Sequence, residues 1–235
     1  MRRNVAVVLA AGVGSRFGAS CPKQFLQVNG RMIVEYTISV FEHHPGIDEI
    51  AVVTSLASMA MFEEMRARNA WEKVTRLLSG GKERSDSSLA ALQAYANEDV
   101  NLIIHDGVRP LVSERIITDV VEALRGHEAV TVAVPVTDTI YEVENGCVKY
   151  IPDRHVLQKA QTPQAFRVEL LREAFRRGMD DPDFKVTDDC GVVRQYVPEQ
   201  RVYIVRGEER NMKITYPEDL VIFEQQLNNR YGNNH

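Results

Sequence analysis

Cysteine is scarce in this chain: Cys21, Cys147 and Cys190 are three in 235 residues, far apart, odd in number and without a C-x-x-C pair. That spacing excludes a disulfide framework and the usual zinc motifs, and it fits a reducing, cytoplasmic compartment. No apolar run is long enough to span a bilayer. The run Val5 to Leu9 follows two arginines in the manner of a short signal peptide, but it leads straight into glycines and reads as a first strand. Nor is there a sustained Lys/Arg block, and the formal net charge is -5. A protein whose work is gripping DNA or RNA is therefore not expected, and no membrane association is expected. Repeats, low-complexity runs and Pro/Gly linkers are also missing, so residues 1–235 are expected to form a single α/β domain.

What is present begins with VAVVLAAGVGSRFGASCPKQF, residues 5–25. A β-branched apolar strand runs into Ala10, Ala11, Gly12 and Gly14, residues with little side-chain bulk. Backbone N–H groups there can approach a ligand closely, and Arg16 and Lys23 bring two cations to the same loop. Oriented amides plus convergent cations suit a polyphosphate. The glycines lack the spacing of a dinucleotide fingerprint, and no G-x-x-x-x-G-K-[ST] occurs, so neither a Rossmann dehydrogenase nor a P-loop ATPase is indicated.

Further along, apolar spacing predicts helices over Ile33–Glu42, Phe62–Trp71, Ile116–Leu124 and Val168–Arg177, and a C-terminal one from Pro217 to about Leu227. Strands are predicted at Ile50–Thr54, Val74–Leu78, Asn101–Ile104, Ala129–Val136 and Val202–Val205. A second small-residue switch, Gly80 and Gly81, precedes a helix started by Ser85 or Ser87 and running to about Ala96. Ser87 either caps that helix or gives its hydroxyl to a base or ribose. Asp106 ends a strand, where open α/β sheets bind ligands. It is a natural Mg²⁺ ligand, or else the partner of Arg109 in a local ion pair. His105 beside it reads as a packed histidine and not as part of a triad, and His43 and His44 read as cap or surface residues. Between Thr137 and Phe166 the pattern loosens into an arm at about residues 137–160, two extended stretches joined near Asn145 and Gly146. Its exposed Ile140, Val143, Val148 and Ile151 call for a cover that a twofold partner would supply. Arg154 and Thr162 are placed to reach a phosphate, a surface arginine being the alternative for Arg154. Lys213 is a further phosphate contact. Adjacent Asp188 and Asp189 read as charges at a helix start, with Thr187 or Asp188 as cap.

Taken together, LAAGVGSRFG, PKQF, GGKERSDS, HDGVRP, PVTDTI, QTPQAF, TDDCGVV and NMKITYPEDL resemble the cytidylyltransferases that activate polyol phosphates with CTP. These include the methylerythritol 4-phosphate enzyme of isoprenoid synthesis and the ribitol 5-phosphate enzyme of wall and capsule polymers. The resemblance covers residues 4–227 and implies a Rossmann-like nucleotidyltransferase fold. That fold is a mostly parallel sheet flanked by helices with a projecting β-arm, paired into a homodimer and using Mg²⁺. By the same resemblance, Ala10, Ala11, Gly12, Gly81 and Ser87 line the cytidine pocket, while Arg16 and Lys23 hold the triphosphate and stabilise transfer. Asp106 matches the metal-binding acid. Arg109, Thr139, Arg154, Thr162 and Lys213 match the polyol phosphate shell, with Thr139 and Arg154 donated by the partner's arm. The implied reaction is attack of the acceptor's phosphate oxygen on the α-phosphorus of CTP with loss of pyrophosphate, which needs no general base. Tyr141 and Glu142 stand where the methylerythritol enzymes commonly carry Lys or Arg, and Lys82 and Gly107 where they often carry Asp and Ala. IPDR, DGVRP and the acidic YEVENG look closer to the ribitol branch, so D-ribitol 5-phosphate is the expected acceptor, with 2-C-methyl-D-erythritol 4-phosphate the alternative. A sugar 1-phosphate nucleotidyltransferase and a non-catalytic nucleotide binder are the remaining alternatives.

Overall fold

The computed structural model describes residues 2–12 and 21–232. In chain order, β1 (Arg3–Leu9) is followed by a small hairpin of β2 (Gln27–Val28) and β3 (Arg31–Met32), then α1 (Ile33–His43), β4 (Glu49–Thr54), α2 (Met59–Arg68) and β5 (Val74–Ser79). Next come α3 (Arg84–Ala94), β6 (Val100–Asp106), α4 (Glu114–Ala123) and β7 (Ala129–Pro135). The arm carries β8 (Glu142–Glu144) and β9 (Cys147–Tyr150), and the chain closes with β10 (Gln158–Arg167), α5 (Val168–Met179), α6 (Asp189–Tyr196), β11 (Tyr203–Arg206) and α7 (Pro217–Gly232). Seven strands form one sheet in the order β11-β7-β10-β6-β1-β4-β5. All pairings are parallel except those of β10, which runs antiparallel to both β6 and β7.

The central strands are apolar on both faces because both faces are covered. Along β1, Ala6 and Val8 enter one core with Val34, Ile38 and Phe41 of α1 and Ile116, Ile117 and Val120 of α4. Val5 and Val7 enter the other, against Leu92 of α3, Leu171 and Phe175 of α5 and Val193 of α6. A third cluster seats Phe223 and Leu227 of α7 on Ile33, Tyr36, Val108 and Ile214. This is the expected sheet flanked by helices.

Several expectations shift. The stretch from Thr137 to Phe166, where the sequence pattern loosens, holds β10, a strand in the middle of the sheet that begins inside the expected arm of about residues 137–160, and the two-stranded part of the arm is confined to Glu142–Tyr150. Pro163 is accommodated by a register shift between Gln161 and Gln164. At the arm's tip, Asn145 and Gly146 have φ of 52° and 78°, the positive values an Asn-Gly hairpin turn requires. α2 stops before Trp71, where Ala70 takes a positive φ of 50°. Neither Ser85 nor Ser87 caps α3. Glu83 occupies the cap position, and its backbone N–H donates to Asp86 Oδ2 at 2.9 Å. Asp188 does cap α6, accepting from the Gly191 N–H at 2.8 Å.

Candidate active site

The chain leaves β1 toward β4 and β5, then returns across β1 to β6, so the sheet's switch point lies between β1 and β6. There Leu9 pairs with Asp106, and the Gly107 N–H donates to the Leu9 carbonyl at 2.8 Å. A Cβ on Gly107 would sit 2.9 Å from that oxygen, so the two strand ends are in contact. Beyond Leu9, the buried Gln24 donates through Nε2 to the carbonyls of Ala10 and Gly12, at 2.8 and 2.9 Å. This clamp ties the carbonyls of Ala10 and Gly12 to one amide, and Gly12 is exposed. Gly14 and Arg16 lie outside the described residues. Lys23 opens a single 3₁₀ turn and donates through Nζ to the Ile214 carbonyl at 2.7 Å, one of its contacts.

The second small-residue switch abuts the first. A Cβ on Gly80 would lie 2.7 Å from Ala11 Cβ and 2.7 Å from Ser87 Oγ, and one on Gly81 would lie 2.4 Å from Asp86 Cβ. No side chain fits at either position without displacing its neighbours. Ser87 is buried in the first turn of α3, with its Oγ close against Gly80. Gly80 thus joins Ala11, beyond the end of β1, to Ser87 in α3.

Asp106 sits at the end of β6 among three cations. Oδ2 faces Lys213 Nζ at 3.0 Å and Arg109 Nε at 3.4 Å, while Oδ1 faces Arg84 Nε at 3.6 Å. Burial alone would push this carboxyl's pKa up, but Lys213, Arg84 and Arg109 outweigh it and hold the group far below the usual carboxylate range. The ion pair with Arg109 is real, and it is one edge of a larger cluster. Arg109 also donates to the Asn211 carbonyl at 2.8 Å, and its burial lowers its own pKa.

Thr162 and His105 brace Asp106 from behind. The Asp106 N–H donates to Thr162 Oγ1 at 3.1 Å, Thr162 Oγ1 meets His105 Nδ1 at 2.9 Å, and His105 Nε2 meets the Arg109 carbonyl at 3.1 Å. A carbonyl can only accept, so Nε2 carries the proton and Nδ1 accepts from the threonine hydroxyl. Burial pushes the His105 pKa down to about 4, keeping the ring neutral. Both ring nitrogens are spent on structure, in keeping with a packed histidine.

Lys213 arrives on a segment without regular structure. Asn211 is fully buried and donates to the Thr162 carbonyl at 2.8 Å, and the Ile214 N–H donates to the Val108 carbonyl at 2.9 Å. Thr139 and Arg154 are not brought to this cluster. Both are exposed on the arm side, and Arg154 donates to the Thr137 carbonyl at 3.1 Å.

Sequence reasoning missed Arg84, which donates to Asp189 Oδ2 at 2.6 Å while leaning on Asp106. Burial opposes its charge, but Asp189, Asp106 and Asp188 raise its pKa beyond the ordinary arginine value. One signal was available: an arginine in the first turn of a helix opposes the helix dipole and calls for acids nearby. Gln24, the clamp on Ala10 and Gly12, was missed as well.

Among the described residues, no helix is long and apolar enough to cross a membrane, and no group of three or more His, Cys, Asp or Glu side chains is arranged to hold a metal.

A sheet whose switch point presents small-residue turns, one acid and several converging cations is built to hold phosphorylated nucleotides at the strand ends, the arrangement of an α/β nucleotidyltransferase. Comparison with known proteins narrows this: residues 4–229 match the family model for 2-C-methyl-D-erythritol 4-phosphate cytidylyltransferase, and the chain belongs to that family. It is 45% identical over 232 residues to the enzyme of that description from Thermobifida fusca, covering 96% of this chain and 93% of the relative. It is also 40% identical to a bifunctional ribulose 5-phosphate reductase/CDP-ribitol pyrophosphorylase from Haemophilus influenzae, covering 97% of this chain but 49% of that protein. The crystal structure of 4-diphosphocytidyl-2C-methyl-D-erythritol synthase from Anaerococcus prevotii superposes with a TM-score of 0.85 at 29% identity, covering 96% of this chain and 98% of that one.

Proposed function

We propose that the enzyme transfers CMP from CTP to 2-C-methyl-D-erythritol 4-phosphate and releases pyrophosphate. This reverses the order of acceptors read from the sequence. The family model and the 45% identical relative carry the methylerythritol name, whereas the ribitol relative is 40% identical and is about twice this chain's length. Of the residues that favoured ribitol, Tyr141 and Glu142 are exposed on the arm, as are most of YEVENG and IPDR, while DGVRP lies at the Asp106 cluster.

The observation that carries the reading is the cluster of Lys213, Arg109 and Arg84 around Asp106, set against the small-residue loop. Two anions, a triphosphate and a phosphate monoester, have to be held together there. Ala10 to Gly12, Gly81 and Ser87 line the nucleotide, Arg16 and Lys23 hold its phosphates, and Arg109, Thr162 and Lys213 receive the acceptor's phosphate. Thr139 and Arg154 complete that shell from a partner's arm in a homodimer. The attacking phosphate oxygen is already ionised near neutral pH, so the residues act by orienting two anions and stabilising the charge that builds at the α-phosphorus. No side chain has to move a proton.

The donor chemistry at Asp106 fits Mg²⁺, which prefers one or two carboxylates with phosphate oxygens and water to an all-protein cage. When bound, the ion would neutralise phosphate charge. We place the enzyme in the cytoplasm.

The test is pyrophosphate release from CTP and Mg²⁺ with each acceptor in parallel. The expected result is a kcat/KM for methylerythritol phosphate above that for ribitol 5-phosphate by about tenfold or more. The opposite preference would overturn the acceptor assignment and leave cytidylyl transfer standing.

A further inference from the structure

Arg84 stands between two acids and belongs to one of them. Its Nη1 is 2.6 Å from Asp189 Oδ2, while its Nε is 3.6 Å from Asp106 Oδ1, beyond a hydrogen bond. Asp189 is 1% exposed and rigidly mounted, since its N–H and that of Cys190 both donate to Gln164 Oε1, at 3.1 and 3.3 Å. Gln164 in turn donates to Asp188 Oδ2 at 2.7 Å, so the start of α6 is pinned to β10 beside Thr162. The other cations near Asp106, Lys213 and Arg109, both take Oδ2. Oδ1 is faced by Arg84 alone among the described residues, at arm's length.

We propose that Asp189 is a positioning residue: it tethers Arg84 away from Asp106 and so keeps Oδ1 open to a cation carried by the nucleotide. Arg84 Nη2 and Asp189 Oδ1 are both buried without a hydrogen-bond partner among the described residues, so the tether is one bond and not a two-pronged fork. Without it, two acids remain near the guanidinium, Asp106 and Asp188, and among the described residues only Asp106 lies within 4 Å of it. Closing from 3.6 Å to about 2.8 Å at an effective dielectric near 20 deepens that attraction enough to change an equilibrium constant about tenfold, and a metal ion would have to displace it. The inference rests on the reading that Asp106 meets the metal.

The test uses Mn²⁺ as the probe: water-proton relaxation is followed as Mn²⁺ and CTP are titrated with the enzyme, and metal-free CTP binding is measured separately by calorimetry in EDTA. In Asp189→Asn, Mn²⁺ affinity of the CTP complex is expected to fall about tenfold with metal-free CTP affinity nearly unchanged. In Arg84→Gln/Asp189→Asn the arginine is gone, and Mn²⁺ affinity is expected to return to near the wild-type value. Asp189→Asn binding Mn²⁺ as tightly as wild type, or a double variant as weak as the single one, would overturn the tether. Should Asp189→Asn fail to fold, the double variant decides: its neutral amides replace a buried charge pair, and near-wild-type Mn²⁺ affinity supports the tether while loss of it does not. Wild-type protein that binds CTP but no Mn²⁺, or Asp106→Asn that binds Mn²⁺ unchanged, would instead sink the metal reading of Asp106.

Discussion

Replacing Asp106 by Asn keeps its shape and removes the one negative charge between Lys213, Arg109 and Arg84. Three cations that lie 3.0, 3.4 and 3.6 Å from that carboxylate are then left facing one another. Breaking a buried ion pair by removing one partner costs roughly 3–5 kcal/mol. Lys213 is 42% exposed and can swing toward water, which moves the expectation to the lower end, about 3 kcal/mol. At about 2–4 °C per kcal/mol for a chain of this size, the Tm at pH 7 and low salt should fall by roughly 6–12 °C. Inorganic pyrophosphate, the reaction's leaving group, should then stabilise the variant more than the wild type, because it supplies the missing negative charge to the same cations. Scanning calorimetry with and without pyrophosphate reads both effects. A variant melting within about 2 °C of wild type, with no larger gain from pyrophosphate, would show that the cations do not depend on Asp106 and would refute the account of the cluster.

Glu49, buried at the start of β4, accepts from Thr75 and Tyr95 at 2.7 Å each and pairs with Arg3 and Arg76. Burial pushes its pKa up, but these partners outweigh burial and lower it, so its ionised form stabilises the fold above the unfolded pKa of about 4.3. That contribution is lost as pH falls through the folded value, and Glu49→Gln should lose Tm less steeply than wild type from about pH 5 down to pH 3; parallel curves would remove Glu49 from the acid sensitivity. On the arm, Val143 is 59% and Val148 53% exposed, with Ile140 and Ile151 beside them. Val148→Glu should convert a dimer into a monomer in sedimentation velocity and weaken turnover, and a wild-type protein that already sediments as a monomer would end the arm's assignment as a dimer contact.

The elements legible in the sequence were those whose reason is local. The runs of β1, β4 and β6 are apolar on both faces, the spacing of α4 and α5 matches one buried stripe each, and α1 carries apolar residues for two clusters. β10 was not legible because Gln161, Thr162 and Gln164 are polar yet buried, satisfied by Glu208, His105 and Asp188, partners 24 to 57 residues away. A strand whose buried side chains are polar gives no hydrophobic period, and Pro163 argues against a central position. The same limit hid Arg84, whose partner Asp189 is 105 residues on. Asp106, Thr162 and Lys213 were legible from their places along the chain and, with Arg109, from the family's motifs, but the distance between Asp106 and Thr162 is set by the register of β6 and β10, which no motif records.

That geometry also explains why the site needs the stretch from Glu208 to Tyr216, which forms neither helix nor strand. Ser113 and Gln161 hold Glu208, Asn211 is buried against Thr162 and receives Arg109 on its carbonyl, and Ile214 donates to Val108 while accepting from Lys23. Each anchor joins the stretch to a different part of the site: the turn after β6, the middle of β10, and the start of the PKQF turn. Lys213 itself is half-exposed and, among the described residues, held only through Asp106, so its position depends on the backbone anchors at Asn211 and Ile214. An ammonium on a flexible stem is useful for stabilising developing charge only where its backbone is fixed, because four freely rotating carbons would otherwise spread it over several ångströms. On the proposed reading of Lys213, the buried Asn211 and Ile214 are thus as much a condition of its placement as the stem that carries its charge.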